Sequence, residues 1–223
     1  NPGEVAATGG TSGVVYAMTN SLSVKESSRV NNFAHVNYKK GNDPRIGKLL
    51  CINGAGIQYR WLLNNLSVSS YEEMNNLASD IPVGSDGVCM IPFGNGAERM
   101  LNSKDIGTRL VNINLNNHGK AHICRAALEG IAFSFVYGME IMKSDGIEVK
   151  VMRAGNDNLF RSEIFSNTVA TLIGHEIEIY NTTGAIGAAR ASGLHEGDFE
   201  TFGKYITDND HVMTYMPFKD KQP

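Results

Sequence analysis

Cysteine is scarce in this sequence and does not form the pattern of a disulfide framework. The 223 residues include three cysteines, Cys51, Cys89 and Cys124. They are odd in number, widely spaced and embedded in the apolar segments LLCIN, GVCMI and HICRA. A small secreted domain held by disulfides would show an even, closely spaced set. We therefore predict buried free thiols in a reducing compartment.

Neither basic nor acidic residues are in large excess. Lysine and arginine number 20 against 23 acidic residues, and the net charge is −3. A nucleic-acid surface would show clustered basic residues, so we predict no nucleic-acid partner.

Long apolar runs are likewise lacking. No run approaches the length of about 18 residues needed to cross a membrane, and no basic segment followed by an apolar one opens the chain. We expect a cytoplasmic protein without a membrane segment. The chain begins at Asn1-Pro2 without an initiator methionine, so we expect it to be part of a longer polypeptide.

The segment ATGGTSGVVYA, residues 7–17, predicts a β-hairpin. Apolar residues stand on both sides of a turn made of glycine, threonine and serine. Glycines in such a turn can take positive φ, and the turn offers backbone N–H groups and two hydroxyls. Such a turn can hold an oxyanion, although an ordinary glycine-rich turn has the same sequence pattern.

The rest of the chain alternates strand and helix patterns. Alternation and β-branched residues predict strands at 33–38, 87–93, 109–115, 148–155 and 175–180. Helical spacing predicts helices at 54–66, 70–80, 120–143 and 160–173, with another opening at Gly184. Helix 70–80 begins with Ser70 and Glu73 in a capping-box relation. Helix 120–143 carries one continuous apolar stripe and is the expected core helix. The alternation indicates parallel crossovers in a single α/β domain spanning 1–223.

Three glycine-centred loops follow strands of this pattern, at residues 9–13, 53–56 and 154–158. In open α/β sheets, ligands bind at the carboxyl ends of strands, where loops and helix N-termini present donors to anions. Together the loops predict a nucleotide site.

Three other features of the sequence do not indicate a phosphate-binding, metal or catalytic site. The segment GNDPRIGK, 41–48, has five residues between its glycines and Leu49 after its lysine, so it is not a P-loop. His118 and His122 lack the further ligands of a zinc site and are interpreted as surface or capping histidines. Four aspartates stand in no recognisable catalytic context, namely Asp86, Asp105, Asp145 and Asp157.

Six motifs resemble, in order and across nearly the whole chain, the C-terminal half of the FGGY carbohydrate kinases, and xylulokinases most. They are GGTSGVVYA, NGAGIQYRWL, IPFGNGAER, HICRAALEGIAFSFVYGME, RAGNDNLFRSEIF and TTGAIGAARASG. The resemblance implies an actin-like ATPase (ribonuclease-H-like) α/β domain, with a mixed sheet, an N-terminal β-hairpin and flanking helices. It also implies a two-domain enzyme, of which this chain is the nucleotide-binding C-terminal domain.

The resemblance assigns nucleotide-binding roles to eight residues. The threonine of the Gly-Thr turn lies beside the terminal phosphates in the family, and its counterpart here is Thr11. The full set is Gly10, Thr11, Ser12, Gly54, Gln58, Gly155, Asn156 and Asn158. The chain departs from the family at Ala154, which replaces the first glycine of the third loop. The same resemblance suggests loop architecture for Glu98-Arg99 and close helix packing for Glu129-Gly130.

The implied reaction is in-line transfer of the γ-phosphoryl group of ATP, with Mg²⁺, to a sugar hydroxyl, most closely the 5-hydroxyl of D-xylulose. In the family an aspartate just upstream of the Gly-Thr turn is the general base. No aspartate occurs between Asn1 and Thr11. No catalytic residue is therefore assigned in this chain, and the N-terminal domain of the same enzyme is the expected partner.

Two alternatives stay open at this point. The chain could be the same domain of a gluconate, ribulose or glycerol kinase, or a non-catalytic nucleotide-binding module of the actin superfamily. Apolar residues on the face that a first domain would cover are expected to favour self-association, for example as a homodimer.

Overall fold

Seven strands form one mixed sheet in the computed structural model, which describes residues 1–22, 24–41, 43–194 and 199–221. The strands are β1 (Glu4–Gly9), β2 (Gly13–Thr19), β3 (Asn31–Ala34), β4 (Ile46–Ile52), β7 (Val151–Gly155), β8 (Ile177–Tyr180) and β9 (His211–Tyr215). Their order across the sheet is β3-β4-β2-β1-β7-β8-β9. Strands β5 (Cys89–Ile91) and β6 (Arg109–Val111) form a separate two-stranded sheet.

Helices connect and cover these strands. They are α1 (Gly56–Asn65), α2 (Tyr71–Ser79), α3 (Lys120–Ser144), α4 (Glu163–Ile173), α5 (Gly184–Ala191) and α6 (Phe199–Asp210). A 3-10 turn, Asn158–Arg161, precedes α4. The predicted helices 54–66, 70–80, 120–143 and 160–173 are thus confirmed to within a few residues.

The hairpin stands at the centre of the sheet. Strands β1 and β2 pair antiparallel with Gly9 opposite Gly13. Strand β7 runs parallel to β1, and β8 runs parallel to β7. The predicted hairpin and the predicted parallel crossovers are both present, and the sheet is mixed because β2, β3, β4 and β9 pair antiparallel with their neighbours.

Helix α3 contributes more buried apolar residues to the core than any other described element. Its predicted apolar stripe is buried throughout, at Cys124, Leu128, Ile131, Phe135, Met139 and Met142. A Cβ at Gly130 would lie 1.8 Å from the carbonyl oxygen of Met90. The helix can therefore lie directly on β5 only because this position is glycine, which confirms the packing role expected for Gly130.

Strand β4 was missing from the sequence prediction, and the strand predicted at 33–38 was largely wrong. Strand β3 ends at Ala34, and Val36 is 85% exposed in the turn that follows. Strand β4 pairs instead with β2 along its whole length. Its IGKLLCI sequence places a lysine at a core-facing position, which breaks the apolar alternation by which strands are recognised. The segments α6 and β9 were also not predicted.

That core-facing lysine, Lys48, is paired with Asp145. Both side chains have no exposed surface, and the Lys48 ammonium donates to the Asp145 carboxylate. It also donates to Asn32 Oδ1 at 3.0 Å, and Asp145 Oδ1 accepts the Glu26 N–H at 3.1 Å. A charge can be buried where an opposite charge and further hydrogen bonds compensate for the lost water. Asp145 is thus a structural residue at the end of α3.

The predicted burial of all three thiols is wrong for Cys89. Cys124 is buried and Cys51 half-buried, but Cys89 is exposed, and all three are free. Strand β5 is short and buries only Met90, whereas Cys89 points away from α3 beside Val111. The strand predicted at 87–93 is therefore a half-exposed strand of three residues.

The capping box at the start of α2 is present in part. The Ser70 hydroxyl accepts the N–H of Glu73 at 3.1 Å, as predicted. The Glu73 carboxylate bonds to the backbone and hydroxyl of Ser69 rather than to the N–H of Ser70.

Among the described residues, no helix is long and apolar enough to cross a membrane.

Replacing Lys48 by methionine should destabilise the chain by about 3–5 kcal/mol, because Asp145 would stay buried without its cation. Urea unfolding followed by circular dichroism measures this change. The exposed Lys40→Met is the matched control and should change the unfolding free energy by less than about 0.5 kcal/mol. Equal effects of the two substitutions would show that the buried pair does not hold β4 to α3.

Candidate functional site

The hairpin turn, residues 10–12, presents hydrogen-bond donors without partners. Thr11 is exposed, and Gly10 and Ser12 are half-buried. Within the described part of the chain, nothing accepts a hydrogen bond from their N–H groups or from the two hydroxyls. The glycines on either side have no positive φ, so the turn does not use the backbone freedom that the sequence suggested. Successive backbone N–H groups without partners can form an anion-binding concavity.

The N-terminus of α1 is bound to this turn. The N–H of Gly56 donates to the Gly10 carbonyl at 3.0 Å, and the N–H of Ile57 donates to the Thr11 carbonyl at 3.0 Å. These donors are therefore not available to an anion, which corrects the expectation that the helix N-terminus presents them. The two bonds use the turn's carbonyls, and its own N–H groups remain for a ligand.

The third predicted loop reaches the same turn from the other side. A Cβ at Gly9 would lie 2.8 Å from the Leu159 side chain, so the 3-10 turn packs closely against the end of β1. Phe160 of that turn stands edge-on to Phe135 and Phe165, with ring centroids 6.1 and 5.2 Å away. This aromatic cluster anchors the 3-10 turn, and Asn158 at its start has a φ of 48°. The structure thus brings the first and third loops together.

Gln58 lies in the first turn of α1 and is 4% exposed. Its amide nitrogen and oxygen are buried and have no hydrogen-bond partner among the described residues. An unsatisfied buried amide costs about 1–3 kcal/mol, and such groups in native proteins call for an explanation. A ligand or water beside α1 would supply the missing bonds.

Gly54 is buried behind the turn. A Cβ there would lie 2.1 Å from the Pro92 carbonyl oxygen, so the need for glycine comes from this packing. The buried Glu98 carboxylate accepts the N–H of Asn53 at 2.8 Å and that of Gly54 at 3.4 Å. Burial raises the pKa of Glu98, and these backbone bonds oppose the shift. The loop-architecture role expected for Glu98-Arg99 agrees with these contacts, since Arg99 also donates to the Ser28 carbonyl at 2.9 Å.

Gly155 ends β7 and borders a cavity of about 530 Å³. This outer-face cavity runs along the sheet surface opposite α3 and is lined by Thr8, Tyr16, Gly155, Asp157, Thr183 and Gly184 among others. A side chain at Gly155 would meet the Thr182 carbonyl oxygen at 2.6 Å. The exposed Asn156 is fixed by its N–H, which donates to the Tyr180 carbonyl at 2.8 Å.

Only Gly155 of the eight predicted residues lines the outer-face cavity. Its arginine is already paired: Arg153 donates to Glu178 at 2.7 Å and contacts Glu4 at 3.1 Å. Burial would raise the pKa of Glu178, but the hydrogen bonds from Tyr180 and Arg153 lower it. The hairpin turn has three successive backbone donors without a partner among the described residues, and it is the candidate phosphate site.

Sequence reasoning missed Thr183, which lines the outer-face cavity together with Gly155 and the already considered Asp157. Thr183 caps α5 by accepting the N–H of Ile186 at 3.2 Å. The signal that could have found it was a threonine directly before the helix that opens at Gly184.

His118 and His122 are capping residues, as predicted. Their Nδ1 atoms accept the N–H groups of Asn114 at 2.9 Å and Gly119 at 3.2 Å, and His122 Nε2 lies 3.2 Å from Asp86. The described residues contain no group of three histidine, cysteine or acidic side chains placed to hold a metal.

In the rejected 41–48 segment, Lys48 lies in β4, and Asn42 is outside the described residues.

Comparison with known proteins identifies the family of the chain. The model of the C-terminal domain of the FGGY family of carbohydrate kinases matches residues 5–194. Xylulose kinase from Haemophilus influenzae is 28% identical over 201 residues, which are 86% of this chain and 39% of that protein. The chain thus spans less than half the length of this relative.

Two solved structures share the fold. Xylulose kinase from Rhodospirillum rubrum superposes with a TM-score of 0.79 at 19% identity, covering 100% of this chain and 44% of that one. Glycerol kinase from Plasmodium falciparum with ADP gives a TM-score of 0.82, also at 19% identity and with the same coverage. The actin-like ATPase fold inferred from the sequence is confirmed.

Replacing Thr11 by arginine should raise the KM for ATP by about tenfold or more in the complete enzyme, because the long side chain would fill the hairpin turn. Thr11 is exposed, so the unfolding free energy should change by less than about 0.5 kcal/mol. Steady-state kinetics and urea unfolding measure the two effects. Thr11→Ser, which keeps the hydroxyl, is the matched control, and an unchanged KM in Thr11→Arg would exclude the turn from the site.

Proposed function

The chain belongs to the FGGY family of carbohydrate kinases, and we propose that it supplies the ATP-binding half of a sugar kinase. The matched region is the C-terminal domain of the family. The chain covers 39% of its xylulose kinase relative and 44% of the two superposed structures. We propose that residues 1–223 form one nucleotide-binding domain and that an N-terminal domain of the same enzyme completes the cleft.

One observation carries this proposal: the successive N–H groups of Gly10, Thr11 and Ser12 have no hydrogen-bond partner among the described residues. Phosphate oxygens are strong acceptors, and pre-oriented backbone donors stabilise their charge without rearranging. The two turn hydroxyls add further donors. The ADP named in the structure of the glycerol kinase neighbour is consistent with a nucleotide as the ligand of this fold.

We propose that the remaining predicted residues act around this turn. The Gln58 amide is enclosed by the protein, so we propose that this side chain rotates toward the turn to bond with the nucleotide. Asn156 and Asn158 would face the nucleoside from the third loop, where Leu159 presses against Gly9. In this arrangement Gly54 and Gly155 act by close packing that sets the loop positions.

The chemistry proposed is direct phosphoryl transfer, in which positioning and charge stabilisation do most of the work. When bound, ATP supplies the γ-phosphoryl group that the sugar hydroxyl attacks. The turn would hold the anionic oxygens, and Thr11 would orient the terminal phosphates. Because Mg²⁺ is usually bound through one or two carboxylates, waters and substrate phosphates, we propose that it enters with the nucleotide.

The general base would come from the N-terminal domain. Of the aspartates in this chain, Asp145 is bonded to Lys48 and Asp86 lies beside His122. Asp105 is exposed, and Asp157 lies next to Gly155, in contact with the outer-face cavity. None of them lies in the hairpin turn, so the hydroxyl proton would have to be accepted by a residue of the other domain.

The sugar proposed is D-xylulose, with the 5-hydroxyl as acceptor. The support is the order of motifs and the 28% identity to a xylulose kinase. Glycerol, gluconate and ribulose are the competing acceptors.

Complementation tests this proposal. The purified chain alone should bind ATP weakly and release no ADP with any acceptor, because the base, the hydroxyl and the γ-phosphate are brought together only by two domains. Addition of the separately expressed N-terminal half should restore ADP release with D-xylulose.

The same assay with glycerol, gluconate and ribulose decides the acceptor. Higher kcat/KM for one of these would overturn the choice of D-xylulose but keep the kinase. Sugar-dependent turnover by the chain alone would overturn the claim that the base lies in the other domain.

A further inference from the structure

A second cavity lies on the helical side of the sheet, away from the hairpin turn. Its volume is about 630 Å³, and it opens between α2, α3 and α4. Apolar walls come from Val83, Phe133, Ile164, Leu172 and Phe218. This size falls within the range of about 300–1,000 Å³ that small-molecule sites occupy. The proposed kinase function does not use this helical-side cavity.

Arg125 is the unusual residue in its wall. The residue is 8% exposed, and its Nε donates to Glu129 Oε1 at 2.6 Å. Its two terminal nitrogens have no hydrogen-bond partner among the described residues. They do not belong to the fully buried polar atoms that lack a partner, so they keep some exposed surface. They are therefore reachable from the cavity. A guanidinium fork with both terminal nitrogens available is suited to a carboxylate that binds through two oxygens.

The N-terminus of α4 borders the same cavity. Ser162 caps this eleven-residue helix by accepting the N–H of Phe165 at 3.4 Å. The N–H groups of Glu163 and Ile164 have no acceptor in the part of the chain that the structure describes. The positive end of a helix favours an anion. Two independent sets of donors thus border one cavity.

The charged side chains around the cavity cancel, which disfavours a ligand with several negative charges. Arg125 and the exposed Arg161 are balanced by Glu129 and the exposed Glu163. Glu129 Oε1 is already engaged, because it also accepts the N–H of Gly84 at 3.1 Å. A polyphosphate would meet two carboxylates, whereas a monoanion needs only the one guanidinium and the helix end.

We propose that the helical-side cavity binds a small organic monocarboxylate with an apolar body. The carboxylate would pair with the terminal nitrogens of Arg125 and approach the first turn of α4. The apolar body would lie against Phe133, Ile164 and Leu172.

Benzoate is the probe for this site, and benzyl alcohol is its uncharged analogue. Both are titrated into the ¹⁵N-labelled chain at constant ionic strength, and the Arg125 Nε–H and the Glu163 and Ile164 amides are followed by NMR. Benzoate should give saturable shifts at all three positions. Benzyl alcohol should bind at least about tenfold more weakly, because it lacks the charge-assisted bonds.

Two variants test whether benzoate binds inside the helical-side cavity. The double change Arg125→Leu with Glu129→Leu removes the ion pair as a unit, which is often neutral for folding. Asn167→Phe fills the cavity from the wall of α4 and leaves the pair in place. Each should abolish saturable benzoate binding, while the exposed Arg109→Leu on β6 should bind like the parent chain.

Three results would overturn the proposal. They are the absence of saturable shifts with benzoate, equal affinity for benzyl alcohol, and retained benzoate affinity in the double variant. None of them depends on ATP or on a sugar, so the outcome is independent of the proposed kinase function.

Discussion

The close approach of the 3-10 turn to the central hairpin is the constraint on which the candidate site depends. Leu159 lies where a side chain of Gly9 would stand, and Phe135 of α3 lies 2.6 Å from the position of a Cβ at Gly13. One end of the hairpin turn thus packs against the third loop, and the other end packs against the core helix. In the part of the chain that the structure describes, the N–H groups of the turn have no acceptor, so the core positions the turn and leaves its donors for a ligand.

Hydrogen bonds fix the helix on the other side of the turn. Helix α1 is held by the Gly10 and Thr11 carbonyls, which places Gln58 beside the turn with its amide unsatisfied. Strand β4, which leads into α1, is kept in the sheet by the buried pair of Lys48 and Asp145. A buried ion pair therefore supports the geometry of a site that contains no charged side chain of its own among the predicted residues.

Much of this fold could be predicted from local patterns, and the failures have physical causes. The hairpin, the α3 stripe and the crossovers β7-α4-β8 follow from periodicity, because each buries one regular face. Strand β4 could not be predicted, because a lysine is normally expected on an exposed face. Lys48 is buried only because it pairs with Asp145, which lies 97 positions away in the sequence. Cys89 looked buried because its neighbours are apolar, but the short β5 buries only Met90. For the site, the resemblance located the loops, whereas the packing roles of Gly54 and Gly155 required the structure.

The central claim is that the hairpin turn, and not the outer-face cavity, binds the nucleotide phosphates. Amide shifts of the ¹⁵N-labelled chain on titration with MgADP test it most directly. The account predicts the largest saturable shifts at Gly10, Thr11 and Ser12, with smaller ones at Asn156 and Asn158. Shifts confined to Thr182, Thr183 and Gly187 on the outer-face cavity, with the turn unchanged, would contradict it.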